Sequence, residues 1–255
     1  MFPSPAWADP PLSPVKPWVL DYGETQCTAA RDYGNAANPT TFVIRPAPNG
    51  ETFELLVGRQ RRGPTFAEEL EGSVDFGLGP IKAWLLHYGS KTRSVAIHQF
   101  RIPAAEMVKA RAASVVTLHI KGGPDVSLSL ANMSALLSGL QECTADLKRY
   151  WNMNAPEGTI AKRAKGSLRG IFTDSDYPAE ALGRSQEGRA QFLLLIDKTG
   201  KVAACHVYKA SGVPALDAMG CQAIRERAKF TPALDVHGIP IRDTVVTPPV
   251  TWRLY

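Results

Sequence analysis

The feature that most restricts this chain is a strand–turn–strand signal late in its length. Ala190–Ile196 reads AQFLLLI, Asp197-Lys-Thr-Gly200 follows, and Val202–Tyr208 returns with β-branched and aromatic residues. An apolar run bounded by a turn, with glycine where a positive φ is wanted, predicts an antiparallel hairpin. Gly212 then ends the second strand, and Pro214 opens a helix to about Ala228 on which Leu216, Met219, Ala223 and Ile224 share a face. A last strand is expected from Thr244 to Trp252. Strand, strand, helix, strand describes a helix packed on one face of a small antiparallel sheet.

Upstream the pattern is different. Residues 1–17 hold six prolines and no period, and read as a tail. From Trp18 to about Gly123 the chain reads mostly as strands: Thr40–Arg45 and Thr52–Val57 flank the turn signal Pro46-Ala-Pro-Asn-Gly50, and Ile81–Tyr88, Ser94–Ile102 and Ser114–Ile120 follow. Pro103 to Ala113 predicts a short Ala-rich helix. A longer helix is expected from about Leu130 to Tyr150. Its Met133, Leu136, Leu137, Leu140, Cys143 and Leu147 fall at helical spacing and form one buried stripe. The polar, basic stretch after it lacks hydrophobic period and reads as a linker. The expected organisation is a tail over 1–17, a β-rich domain with a C-terminal helix over 18–152, a linker over 153–170, and a small β-β-α-β domain over 171–255. The class is α+β.

Charge and cysteine usage narrow the setting. The net charge of +5 sits mostly in the second half, where residues 155–255 carry 14 basic against 10 acidic side chains. Much of the excess is the run Lys162, Arg163, Lys165 and Arg169, which reads as solvated linker. No recognition helix, zinc-finger spacing or interleaved aromatic motif accompanies it, so nucleic acid is not an expected partner. No segment approaches the ~18 apolar residues that span a membrane. Ser4-Pro-Ala-Trp-Ala-Asp9 contains the A-x-A pattern that signal peptidase cuts, without the charged and apolar regions that precede such a site. It is either a remnant of export or part of a Pro-rich tail. Four cysteines, Cys27, Cys143, Cys205 and Cys221, allow three connectivities, and the sequence does not choose. If the halves fold independently, the pairs are Cys27–Cys143 and Cys205–Cys221. Two even pairs fit an oxidising compartment.

Short motifs in the last third also resemble a known family. Asp176-Tyr177-Pro178-Ala179-Glu180-Ala181 resembles the YPxxA entry of TonB C-terminal domains, and Gln186-Glu187-Gly188 the E-G that opens their first strand. Asp197-x-x-Gly200-x-Val202 is similar to their hairpin, and Ala210-Ser211-Gly212-x-Pro214-x-Leu216-Asp217 to the segment before their helix. Arg227-Ala-Lys-Phe230-Thr-Pro232-Ala233 resembles the motif after it, and Gly238-x-Pro240 leads into the last strand. Order and spacing over this stretch make the resemblance specific. Tyr177, Pro178, Gly188, Gly200, Gly212, Leu216, Phe230 and Pro232 are its structural positions. More loosely, Trp18-Val-Leu-Asp21-Tyr22-Gly23, Cys27, Arg31 and the Cys143-to-Trp151 segment look like the ends of an extra domain found ahead of such domains in some Gram-negative proteins regarded as energy transducers.

The resemblance implies a periplasmic, exported protein of a Gram-negative bacterium that binds an extended peptide of an outer-membrane transporter. Binding would add a strand to the sheet edge at Thr244, Val245, Val246, Thr247, Val250, Thr251, Trp252 and Arg253. Uptake of siderophores or vitamin B12-like cargo is the implied context, and a homodimer through the last strand is a further expectation. It also implies a strand-to-helix disulfide between Cys205 and Cys221. Pro248-Pro249 removes two donors and shortens the ladder a guest could use. A conventional TonB has an anchor engaging the ExbB–ExbD motor and a long Pro-rich spacer. Neither pattern is found here, and Ala210 and Val213 replace the usual small polar residues, so energy transduction by this chain alone is not expected. The alternative is an envelope scaffold that holds peptidoglycan or a protein while its TonB-like edge is blocked. No enzyme is expected. Asp75-Phe-Gly77 has no accompanying kinase motifs and reads as a turn, Glu68, Glu69 and Glu71 read as a surface turn, and the five histidines lack metal spacing. No cofactor or metal is expected.

Overall fold

A computed structural model describes residues 10–64, 67–90, 92 and 94–254, so the A-x-A segment lies outside the described residues. The N-terminal half is one sheet of nine strands: β1 (Val19–Tyr22), β2 (Cys27–Asn35), β3 (Asn38–Pro46), β4 (Thr52–Arg59), β5 (Glu68–Asp75), β6 (Pro80–Gly89), β7 (Ala96–Pro103), β8 (Val115–Ile120) and β9 (Val126–Ser129). Their order is β1-β2-β3-β4-β7-β6-β5-β8-β9. Register builds the core row by row. Ala29, Ile44, Leu55, Phe100, Leu85 and Leu70 stand opposite one another across six strands, and all but Leu70 are fully buried. Helix α1 (Met133–Tyr150) covers this face with the expected stripe, and Cys143 on it is bonded to Cys27 on β2.

Several expectations change. Glu68–Asp75 is a strand, not a turn, because its alternation puts Leu70 and Val74 toward the core while Glu71 faces solvent and pairs with Lys121. The expected helix after Pro103 is a 3₁₀ segment, Ala104–Ala112. β1, β2 and β9, which sequence patterning did not mark, pair with their neighbours. Part of the proline-rich start is built in: Leu12 bridges to Leu128 on β9 while Pro14 bridges to Tyr33 on β2, tying the two ends of the sheet together into a half-barrel.

The C-terminal half contains β10 (Ile160–Lys162), β11 (Lys165–Gly166), α2 (Ala179–Gly183), β12 (Gly188–Ile196), β13 (Val202–Lys209), α3 (Pro214–Arg227), β14 (Phe230–Thr231), β15 (Ala233–Asp235), β16 (Pro240–Ile241), β17 (Asp243–Val246) and β18 (Val250–Trp252). β12 is central, with β13 on one side and β17 and β18 in succession on the other. The class is α+β. The supposed linker is docked: β10 pairs with β15 and β11 with β14. Arg163 reaches Asp243 at 2.7 Å, and the Ala164 N–H donates to the same fully buried carboxylate. Arg163 of the basic run is therefore held by a buried counter-charge that sequence spacing does not reveal.

β12 is buried on both sides. Phe192, Leu194 and Ile196 join Ile224 of α3 in one cluster. Leu193 and Leu195 point the other way, are 4% and 0% exposed, and Leu195 belongs to the cluster that fills the N-terminal half. The halves also meet where the Arg242 guanidinium lies 3.9 Å from the Tyr150 ring centre and the Asn152 side-chain amide donates to the Arg242 carbonyl.

Candidate functional site

The last two strands form an edge whose outer side is unpaired among the described residues. Pro248 and Pro249 split the expected continuous strand in two, since neither can donate to the ladder. Thr247 bridges the gap. Its N–H donates to the Phe192 carbonyl at 2.9 Å, its hydroxyl accepts the Phe192 N–H at 3.0 Å, and its carbonyl accepts from the Gln191 side chain. A side-chain oxygen thus takes the place of a ladder carbonyl, and the edge continues past the prolines.

Backbone direction alternates along an antiparallel strand. Thr247 faces β12, so Val245 and Asp243 do too, and Thr244 and Val246 turn their N–H and C=O groups outward. Opposite Ala190 and Gly188, Val250 and Trp252 face inward, which leaves Thr251 outward. Of the eight expected contact positions, these three present free backbone, and Val246 is 45% exposed. Arg253 is exposed beside them, while Val245 and Val250 pack on the cluster under α3. Thr247 and Trp252 are buried anchors.

The motif residues hold this edge in place. Phe172 and Tyr177 each meet the Trp252 ring edge-on at 5.6 Å. The Tyr177 hydroxyl donates to the Gln186 carbonyl at 2.6 Å, closing the loop that Pro178 and α2 begin. Leu216 is fully buried in the same cluster. Gly200 has φ +83° and lies so close to Phe230 that any Cβ would collide with the Phe230 carbonyl, while the Phe230 N–H donates to Gly200 at 3.0 Å. Gly212 has φ +86°, Gly188 abuts Ser211, and Pro232 follows β14. Arg227 grips buried Asp176 with two bonds of 2.6 and 2.7 Å. That guanidinium, with the Thr173 N–H, holds the carboxyl well below the usual carboxylate range. Cys205 on β13 is bonded to Cys221 on α3.

Residues 173–254 match the family model for the Gram-negative bacterial TonB protein C-terminal. This part of the chain is similar to TonB C-terminal domains. No curated protein and no solved structure matches the chain. No helix among the described residues is long and apolar enough to cross a membrane. Sequence reasoning expected a last strand over Thr244–Trp252, where β17 and β18 lie, but missed what lies behind it. The sheet face opposite α3 is covered by the N-terminal half, and the unbroken run Phe192–Ile196 was the available signal, because a strand buried on both faces loses its alternation.

Proposed function

We propose that this chain is an exported envelope protein whose TonB C-terminal domain binds an extended peptide of an outer-membrane transporter by strand addition along β17 and β18, within TonB-dependent uptake. One observation carries the reading: α3 covers one face of the sheet and the N-terminal half covers the other, while Thr244, Val246 and Thr251 keep outward backbone groups unpaired among the described residues. An edge with free donors and acceptors is a template for an added strand. The two disulfides support an oxidising compartment such as the periplasm.

The test is fluorescence anisotropy of a labelled TonB-box peptide with the full chain. Saturable binding is expected, weakened about tenfold by Val246→Pro, which removes an outward donor worth roughly 1–1.5 kcal/mol and leaves the β12 ladder intact. The interruption at Pro248-Pro249 favours the other reading, an envelope scaffold with a blocked edge. No binding by a folded monomer, or equal binding by the proline variant, would support that scaffold; a concentration-dependent dimer would mean the edge is occupied by a second copy.

A further inference from the structure

Between the two halves lies a cavity of about 540 Å³, within the size range of small-molecule sites. Its floor is the outer face of the N-terminal sheet, and its wall is β13 and α3. Across the floor, register places Arg45, Glu54, Arg101 and Trp84 in one row on four adjacent strands. Glu54 accepts from Arg45 at 2.7 and 2.6 Å, from Arg101 at 3.0 Å, and from the Gln99 amide at 2.8 Å. The Arg101 guanidinium also lies over the Trp84 ring, 4.8 Å from its centre. Tyr88 completes the set by donating to Gln99 at 2.9 Å.

The charges do not balance. Burial pushes the Glu54 carboxyl up, but the two guanidinium groups together outweigh it and hold the group ionised. Three guanidiniums line the cavity, those of Arg45, Arg101 and the exposed Arg225 on α3, against the two carboxyls of Glu54 and Asp217, so a positive charge is left over. On the wall, Asp217 is 3% exposed and its carboxyl is raised by burial toward the neutral form. Burial lowers His206 to about 4, so it is neutral near pH 7. Asp217 and His206 both line the cavity, and their Oδ2 and Nε2 atoms are buried without a hydrogen-bond partner among the described residues. A positive excess around the cavity together with orphaned polar atoms calls for an anionic group and for further donors or acceptors.

The geometry points to a binding site for a small organic oxyanion between the halves, held by Arg45, Arg101 and Arg225 and hydrogen-bonded by His206 and Asp217. Its oxyanion meets the guanidinium groups, its polar substituents meet the orphaned atoms, and its body lies against Trp84. Because the ligand touches both halves, it fastens their docking. The site is separate from the strand-addition edge and does not depend on it.

The experiment is calorimetric titration of the full chain at low ionic strength with citrate and with inorganic pyrophosphate, against sodium chloride at matched ionic strength. Saturable binding of either probe is expected, with amide shifts at Ala204, His206 and Ala218. Preference for citrate identifies a carboxylate ligand, and preference for pyrophosphate a phosphate. Arg225→Ala, at an exposed helix position, is expected to weaken binding about tenfold. Ala218→Trp, which fills the mouth from a second exposed position, is expected to abolish it. Absence of saturable binding to both probes at about 10 mM, or unchanged affinity in both variants, would overturn the assignment.

Discussion

The two faces of the TonB-domain sheet are both covered, and covered differently. Toward α3 the contact is dry: Phe192, Leu194 and Ile196 meet Ile224 and Ala228, and the Cys205–Cys221 bond ties strand to helix. Toward the N-terminal half, Leu193 and Leu195 are as deeply buried, yet beside them lie the Arg45–Glu54–Arg101 row and a cavity. The first face is the inside of a domain, built to stay shut. The second is a contact between domains, where polar groups keep specific partners and room remains for a ligand. With both faces taken, what the sheet offers a partner is its edge.

Phe192→Ala attacks the dry face and has the largest expected effect, a loss of about 3–5 kcal/mol in urea unfolding, because the cavity cannot refill across a packed helix. Glu54→Ala attacks the polar face and is expected to cost about 2–4 kcal/mol by stranding two guanidinium groups. Replacing Arg45, Glu54 and Arg101 together by apolar residues should recover most of that loss. If instead the triple variant is as unstable as the single one, the row is structural in its own right and the contrast between faces weakens. Asp176→Asn tests the motif clamp, with a smaller expected loss near pH 7 than Phe192→Ala or Glu54→Ala, since Arg227 is partly exposed and screened. The sign with pH follows from the depressed carboxyl. Its stabilisation is fully present above the ordinary Asp value and is lost as pH falls from there toward the lower folded value. Acid unfolding of the Asn variant should therefore be shallower than that of the parent over this range. Val246→Pro, on neither face, is expected to change stability by about 0.5 kcal/mol or less, because its N–H faces outward.

Much of the TonB domain was legible in sequence. The hairpin, the helix opened by Pro214, and the motifs around Tyr177 and Phe230 each have a local cause that spacing displays. The N-terminal half was less legible because its pairing is non-local. β4 pairs β7 rather than β5, and Glu68–Asp75 hides a strand under carboxylates whose partners lie far along the chain. The residues 153–170 failed as a linker for the same reason: Arg163 finds its partner at Asp243, and no window around Arg163 contains it. The edge was placed by resemblance, but Thr247 standing in for a ladder carbonyl needed coordinates. The interdomain row was invisible, since Arg45, Glu54 and Arg101 become neighbours only through register.

Hydrogen exchange of the full chain, read amide by amide with and without a saturating TonB-box peptide, tests the central claim most directly. The account predicts that Thr244, Val246 and Thr251 exchange fast in the free protein while Thr247 is protected, and that the peptide slows those three amides selectively. If Thr244 and Val246 are already as protected as Thr247 in the free monomer, or if the peptide protects none of the three, the edge is not an open template and the strand-addition account is wrong.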